Sequence, residues 1–172
     1  MAKQIKLKVA GTLRIIGGRW RGRKLTVIDS EGLRPTPSRV RETLFNWLQF
    51  SLSGANCLDL FAGTGALGLE AASRGVEKIT LVEFNAGTAE QLSKNCQQLG
   101  ADNYQLVNKD AVTFLSGDQD QYDIVFIDPP YKLEIWSEIA EQLVSQDCLS
   151  LNALIYIEYP LTAIKPLFPS KW

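Results

Sequence analysis

The sequence predicts an α/β domain with a mostly parallel, doubly wound, Rossmann-like sheet. Short apolar runs typical of strands alternate with helical patterns along the chain. The run at residues 124–127 is apolar at every position, as in a central strand that helices cover on both faces. The 172 residues, 45% of them hydrophobic, suffice for one well-buried α/β domain and are too few for two.

The chain begins with a basic segment, so we predict an N-terminal arm at 1–32 and the main domain at 33–172. Residues 13–27 read LRIIGGRWRGRKLTV and predict a β-hairpin. Arginines pair with phosphates and glycines allow close approach, so the hairpin predicts nucleic-acid binding. Trp20 either stacks on a base or packs the hairpin on the domain. The predicted contacts are Arg14, Arg19, Trp20, Arg21, Arg23 and Lys24.

Charge and composition narrow the function classes. Residues 1–41 hold 11 of the 18 Lys/Arg but two of the 19 Asp/Glu, which indicates either a face for a polyanion or a solvated basic tail. The absence of histidine excludes Ser-His-Asp hydrolysis and histidine metal sites. Three isolated cysteines indicate neither a disulfide framework nor a zinc site. No apolar run reaches a membrane span, so we expect a cytoplasmic protein without a membrane partner.

Residues 33–50 predict an amphipathic helix. Thr36 is expected to be its N-cap and Pro37 its first residue. The spacing of Val40, Leu44, Trp47 and Leu48 places them on one buried face. Nearby Arg34, Arg39 and Arg41 either line a site or lie in solvent, and their spacing alone favours solvent.

Residues 56–71 predict a strand, a glycine loop and a helix. Gly63, Gly65 and Gly68 satisfy GxGxxG, which fits either a dinucleotide or S-adenosylmethionine. Asp59 precedes the loop and would repel a pyrophosphate at the helix N-terminus. A cationic sulfonium ligand tolerates that carboxylate, so the pattern favours S-adenosylmethionine.

Acids recur after the next two predicted strands, 78–82 and 104–107. Glu83 can accept both ribose hydroxyls, Phe84 can flank the adenine, and Asp110 can accept from the adenine amino group. A helix is predicted between the two strands at about 86–99. Each acid taken singly is equally explained as a loop carboxylate. Together with Asp59 they predict a ligand site along one edge of the sheet.

The strand at 124–127 runs into Asp128, Pro129, Pro130 and Tyr131. An exocyclic amine is a poor nucleophile because its lone pair is delocalised. The Asp128 carboxylate and the Pro129 carbonyl can accept its two hydrogens, and Tyr131 offers a stacking face. The alternative is a rigid turn with an aromatic plug. A helix at 134–144 and a fifth strand at 153–159 follow.

DLFAGTGALGLEA, Glu83, Asp110 and DPPY together resemble a class I S-adenosylmethionine-dependent methyltransferase that modifies amino groups. RIIGGRWRGRKL and RPTPSRVRETLFNWL are similar to the RsmD family of bacterial 16S ribosomal RNA guanine-N2 methyltransferases. The resemblance covers about residues 13–159. It implies methylation of a guanine amine in small-subunit RNA, during or after assembly with ribosomal proteins, without a metal.

The resemblance also implies site residues. It moves Thr36 and Arg39 from a solvated face toward the cofactor. The predicted catalytic residues are Asp128, Pro129, Pro130 and Tyr131. The predicted cofactor contacts are Thr36, Arg39, Asp59, Phe61, Gly63, Gly65, Glu83, Phe84, Asp110 and Ala111.

Class I methyltransferases normally end with an antiparallel strand pair, but only residues 160–172 follow the fifth strand. We therefore expect the C-terminal pair to be missing, as in a truncated chain, with an exposed edge that favours self-association. Three rivals remain open: a DNA adenine-N6 methyltransferase, a protein glutamine methyltransferase and a non-catalytic RNA-binding module.

Overall fold

The computed structural model describes residues 8–29, 36–117, 120–162, 165–170 and 172. They form a two-stranded hairpin and a five-stranded sheet flanked by five helices. The strands are β1 (Val9–Arg14), β2 (Lys24–Ile28), β3 (Asn56–Asp59), β4 (Lys78–Val82), β5 (Tyr104–Val107), β6 (Tyr122–Ile127) and β7 (Leu149–Ile157). The helices are α1 (Ser38–Trp47), α2 (Gly68–Ser73), α3 (Ala86–Leu99), α4 (Ala111–Gly117) and α5 (Trp136–Ser145).

The large sheet has the order β5-β4-β3-β6-β7, and every adjacent pair is parallel. After β3 the chain adds β4 and β5 on one side of β3. It then returns and adds β6 and β7 on the other side of β3. The carboxyl ends of β3 and β6 therefore flank a topological switch point, the place where open α/β sheets bind ligands. The predicted doubly wound sheet is confirmed, and we call this side of it the carboxyl edge.

The predicted hairpin is present, and it packs on the core of the domain. β1 and β2 pair antiparallel, while Leu13, Ile15, Trp20 and Leu25 are buried in the main apolar cluster. The Trp20 amide donates to Ser73 Oγ at 3.0 Å. The hairpin thus shares a core with the sheet, and the predicted boundary at residue 32 lies outside the described residues.

Three expectations for α1 are wrong. Thr36 does not cap the helix, which begins at Ser38 after Pro37 in the N-cap position without a side-chain cap. Trp47 is 75% exposed and Val40 is 39% exposed, because the helix turns Leu44 and Phe45 toward the core instead. Arg41, for which spacing favoured solvent, is fully buried among polar partners.

The last third of the chain departs from prediction at its boundaries. β7 begins at Leu149 rather than at 153, and α5 begins at Trp136 because Glu134 has a left-handed backbone. Helix α4 was not predicted. β7 is one of the two edge strands and exposes Leu151 and Leu154. After Ile157, the described residues form no further strand, and nowhere in the described part of the chain is a helix long and apolar enough to cross a membrane.

Candidate active site

Acidic side chains lie at the carboxyl edge, where strands of the large sheet end. Asp59 ends β3, Glu83 follows β4, Asp110 follows β5 by three residues, and Asp128 follows β6. Asp59 is close enough to both Asp128 and Glu83 for their charges to raise its pKa. Three of the four predicted acids therefore converge. Asp110 lies at the same edge, farther along the sheet.

Asp59 anchors the glycine loop. Its Oδ2 accepts from the Gly68 amide at 2.9 Å, and the side chain is only 2% exposed. Burial raises the pKa of Asp59 to about 7, with nearby Asp128 and Glu83 adding to the shift. A Cβ at Gly68 would lie 2.2 Å from Leu81 Cδ2, so only glycine fits above β4. Asp59 therefore shapes the loop from below, and its predicted contact with the cofactor stays a prediction.

Glu83 is held in place by the loop that it faces. Its Oε2 accepts from the Gly63 amide at 2.8 Å, and its Oε1 accepts from the Asn85 amide at 2.7 Å. An ionised carboxylate offers about four acceptor positions, so two remain for ligand hydroxyls. Phe84, the next residue, is 77% exposed and presents a free aromatic face. Glu83 thus has spare acceptor positions and Phe84 an exposed ring, and their predicted contacts with ribose and adenine stay predictions.

Asp110 caps helix α4. Its Oδ1 accepts from the Thr113 amide at 2.8 Å, and the hydrogen bonds from Thr113 lower the pKa of Asp110. The residue is partly exposed, while its neighbour Ala111 is buried under the first turn. Asp110 is therefore ionised and fixed, which suits an acceptor for an amino group. Of the other predicted loop residues, Gly63 and Gly65 are buried and Phe61 is partly exposed.

Residues 128–131 form a cup, and Asp128 is its first residue. Burial raises the pKa of Asp128 to about 7, nearby Glu158 adds to the shift, and the Thr36 hydroxyl opposes it by donating to Oδ2 at 3.4 Å. Pro129 is buried behind the carboxylate, and Pro130 is exposed. Tyr131 is half-exposed, and its ring is available on the rim. The cup therefore holds an acid that titrates near neutrality beside an open aromatic face.

Glu158 is a site residue that the sequence analysis missed. It follows β7, the neighbour of β6, and accepts from the hydroxyls of Tyr156 at 3.0 Å and Tyr131 at 3.4 Å. The signal was available, because Glu158 is one more acid at the end of a parallel strand. It was hidden because the predicted strand ran through it to residue 159.

A protein-family model and named relatives match this chain. A family model described as "Conserved hypothetical protein 95" matches residues 13–172. The chain belongs to this family. The Escherichia coli K12 protein named "Ribosomal RNA small subunit methyltransferase D" is 48% identical over 163 residues, which cover 95% of this chain and 82% of that protein. The predicted membership of the RsmD family is thus confirmed.

Solved structures agree with this family and with the class I methyltransferase fold. The structure of Escherichia coli yhhF has a TM-score of 0.87 and 45% identity, and the match covers 94% of this chain and 88% of that one. The structure of SMU.776, solved in complex with SAH, has a TM-score of 0.65 and 26% identity, with 78% and 39% coverage. The predicted Rossmann-like class I fold is confirmed.

Of the two predicted cofactor contacts near α1, Thr36 is hydrogen-bonded to the cup and Arg39 is not. Thr36 is buried, and its hydroxyl contacts Asp128. Its carbonyl accepts from Arg41 Nε at 3.1 Å, which fixes the backbone next to the cup. Arg39 is exposed on α1, and no hydrogen bond or ion pair within the described residues joins its side chain to the site. Its predicted cofactor contact stays a prediction.

The predicted RNA contacts are exposed, except for Trp20. Arg14, Arg19, Arg21, Arg23 and Lys24 are exposed on the hairpin. Trp20 is only 6% exposed, and the Arg19 guanidinium lies over its ring at 4.2 Å from the centroid. Stacking of Trp20 on a base is therefore not available in this conformation. The alternative, in which Trp20 packs the hairpin on the domain, is what the structure shows.

Proposed function

We propose that the protein is an S-adenosylmethionine-dependent methyltransferase that methylates the N2 amine of a guanine in 16S ribosomal RNA. The observation that carries this proposal is the cup at 128–131 beside the switch point, with Asp128 poised to titrate near neutrality. The ribosomal RNA substrate is supported by the name of the relative that is 48% identical. The basic hairpin face supports a polyanionic substrate, whether naked RNA or a small-subunit assembly.

The residues at the carboxyl edge fit the cofactor. Glu83 keeps two acceptor positions for ribose hydroxyls, Phe84 offers a face for adenine, and Asp110 is a fixed acceptor for its amino group. Asp59 lies beneath the loop, and its carboxylate, when ionised, would disfavour the phosphates of a dinucleotide there. When bound, S-adenosylmethionine supplies an electrophilic methyl group on a sulfonium.

Asp128 orients the amine and removes its proton. The carboxylate and the Pro129 carbonyl accept the two amine hydrogens, which turns the nitrogen lone pair toward the methyl group. Once methylated, with a neutral thioether as the leaving group, the nitrogen would be acidic, and the Asp128 carboxylate would accept one proton from it. A pKa of about 7 leaves a large fraction of Asp128 ionised at neutral pH and still able to accept this proton. Tyr131 stacks on the base that has been turned out of the RNA.

A transfer assay with tritiated cofactor tests the proposal against ribosomal RNA, DNA and protein. We expect label in small-subunit RNA, released on digestion as N2-methylguanosine. Label in DNA adenine or in protein glutamine would select one of the rival substrates. Binding of RNA without any transfer would favour the non-catalytic module.

Asp128→Ala tests the role of the cup. The variant should lose transfer while calorimetry finds nearly unchanged affinity for S-adenosylmethionine, because the predicted ribose and adenine contacts, Glu83, Phe84 and Asp110, follow β4 and β5. Asp29→Ala, at an exposed position after β2, is the matched control and should keep both. Loss of cofactor binding together with transfer in Asp128→Ala would contradict this division of roles.

A further inference from the structure

We propose that Glu158 reads the target base by accepting the N1 hydrogen of guanine while Asp128 holds the N2 amine. This inference rests on the proposed function and names the residue that makes the cup selective for guanine. Glu158 lies at the end of a different strand from the DPPY residues. Four hydrogen bonds fix Glu158 beside Asp128.

The first contact is between the strand backbones. The Glu158 amide donates to the carbonyl of Ile127 at 2.9 Å, and Ile127 immediately precedes Asp128. The Glu158 carbonyl accepts from the Trp136 indole at 2.8 Å. Both backbone groups of Glu158 are therefore bound, and its position next to Asp128 is fixed by the parallel pairing of β6 and β7. The charge of Glu158 helps to raise the pKa of Asp128, in agreement with this proximity.

The other contacts aim the carboxylate. The Tyr156 hydroxyl donates to Oε2 at 3.0 Å, and the Tyr131 hydroxyl donates to Oε1 at 3.4 Å. Tyr131 is also the ring on which the base stacks, so the stacking face and the carboxylate belong to one unit. Each oxygen of Glu158 receives one hydroxyl and keeps a further lone pair. Glu158 is partly exposed and can use that capacity for a substrate.

Two neighbouring carboxylates match guanine and mismatch the other amino-bearing bases. On its Watson–Crick edge guanine presents the N1 hydrogen directly beside the N2 amine. Adenine and cytosine place an unprotonated ring nitrogen beside their amines, and its lone pair would face Glu158. A site that is built to accept a hydrogen bond discriminates strongly against an analogue that lacks the donor. Asp128 alone would accept any of the three amines.

The test replaces the guanosine that is labelled in the wild-type reaction with 2-aminopurine riboside, introduced by ligation of a synthetic RNA segment. This base keeps the N2 amine but has an unprotonated N1. We expect wild-type kcat/KM to fall by about 100-fold or more. In Glu158→Gln, transfer to guanosine should decrease and transfer to 2-aminopurine should increase, because the carboxamide can donate to N1. The preference for guanosine should narrow to about 10-fold or less.

Two further variants keep the result interpretable. Glu141→Gln, at an exposed position on α5, is the matched control and should keep the wild-type preference. Tyr156→Phe retains Glu158 but removes the hydroxyl at 3.0 Å, and should reduce the preference partially. Calorimetry should find the same cofactor affinity in all of these proteins.

Equal use of guanosine and 2-aminopurine by the wild type would overturn the inference, as would a wild-type preference in Glu158→Gln. If Glu158→Gln fails to bind cofactor, an unchanged preference in Tyr156→Phe would overturn it instead. Absence of label from every guanosine with the wild-type protein would refute the proposed function, and this inference with it. That result comes from the first assay and is distinct from a lost preference.

Discussion

Replacing Glu70 by alanine is expected to destabilise the protein more than replacing its partner Arg41 by methionine. Both side chains are fully buried, and Arg41 Nη1 lies 3.3 Å from Glu70 Oε2. Glu70 also accepts from Arg74 Nε at 2.8 Å and from the amides of Ile16 and Gly17 at 2.8 Å each. The Glu70 carboxylate thus binds two guanidinium groups and two amides of the loop between β1 and β2.

The asymmetry follows from what each variant leaves behind. Glu70→Ala leaves a buried guanidinium without its counter-charge and two amides without an acceptor, and removing one partner of a buried pair costs about 3–5 kcal/mol. Arg41→Met leaves Glu70 with Arg74 and both amides but removes the donor to the carbonyls of Thr36 and Arg14, so its cost is about 1–3 kcal/mol. At roughly 2–4 °C per kcal/mol for a chain of this size, Glu70→Ala should lower Tm by roughly 6–20 °C.

Thermal and urea unfolding of the two variants measures this difference. Glu77→Ala, exposed at the turn before β4, is the matched control and should stay within about 0.5 kcal/mol of wild type. The double variant Glu70→Ala with Arg41→Met should be less destabilised than the sum of the two single variants, because the orphaned cation is gone. A loss in Arg41→Met equal to or larger than that in Glu70→Ala would refute the reasoning.

Three other predictions concern the hairpin and the cup. Gly18→Ala should lower the free energy of unfolding by about 2–4 kcal/mol, because its φ is +74° and a Cβ would lie 1.8 Å from the Ser73 carbonyl oxygen. Gly22→Ala, where the nearest atom would be 4.0 Å from the Cβ, should lower it by about 1 kcal/mol. Equal losses of stability in the two variants would contradict the packing of the hairpin on Ser73. The kcat/KM for transfer should rise with pH through a midpoint near 7 as Asp128 ionises. Thr36→Val should move the midpoint upward, because the Thr36 hydroxyl lowers the pKa of Asp128. An unmoved midpoint would show that the Thr36 hydroxyl does not affect the ionisation of Asp128. Neutralising three hairpin cations should lower the slope of log affinity against log salt by about 2–3, and an unchanged slope would rule out phosphate contacts by Arg19, Arg21 and Arg23.

The parts of the fold that were predictable are those with a local pattern. The strands at 78–82 and 104–107 and the helix at 86–99 match the structure residue for residue. Asn85 caps that helix and Gly100 ends it in a left-handed conformation, so both boundaries are encoded by adjacent residues. The parallel carboxyl edge follows from the alternation of such elements, which explains why the converging acids were predictable.

Features that depend on contacts between distant segments were not predictable. Trp47 fits the helical spacing, yet α1 presents Phe45 to Phe126 in the core and leaves Trp47 in solvent. Arginine at 41 reads as a surface residue until Glu70, 29 positions later, is placed against it. Glu158 becomes a site residue only when the pairing of β6 and β7 sets its amide on Ile127. Sequence periodicity contains none of these distances.

The basic hairpin is physically connected to the cup at 128–131. Its last β1 carbonyl, of Arg14, accepts from Arg41 Nη2 at 3.1 Å, and Arg41 Nε donates at 3.1 Å to the Thr36 carbonyl. Thr36 in turn donates its hydroxyl to Asp128. Arg41 is buried and donates to both segments. A shift of the hairpin would therefore either move the Arg41 guanidinium or break its bond to the Arg14 carbonyl. The hairpin therefore supports the position of Thr36 as well as presenting a basic face, a connection that a detached solvated tail would not make.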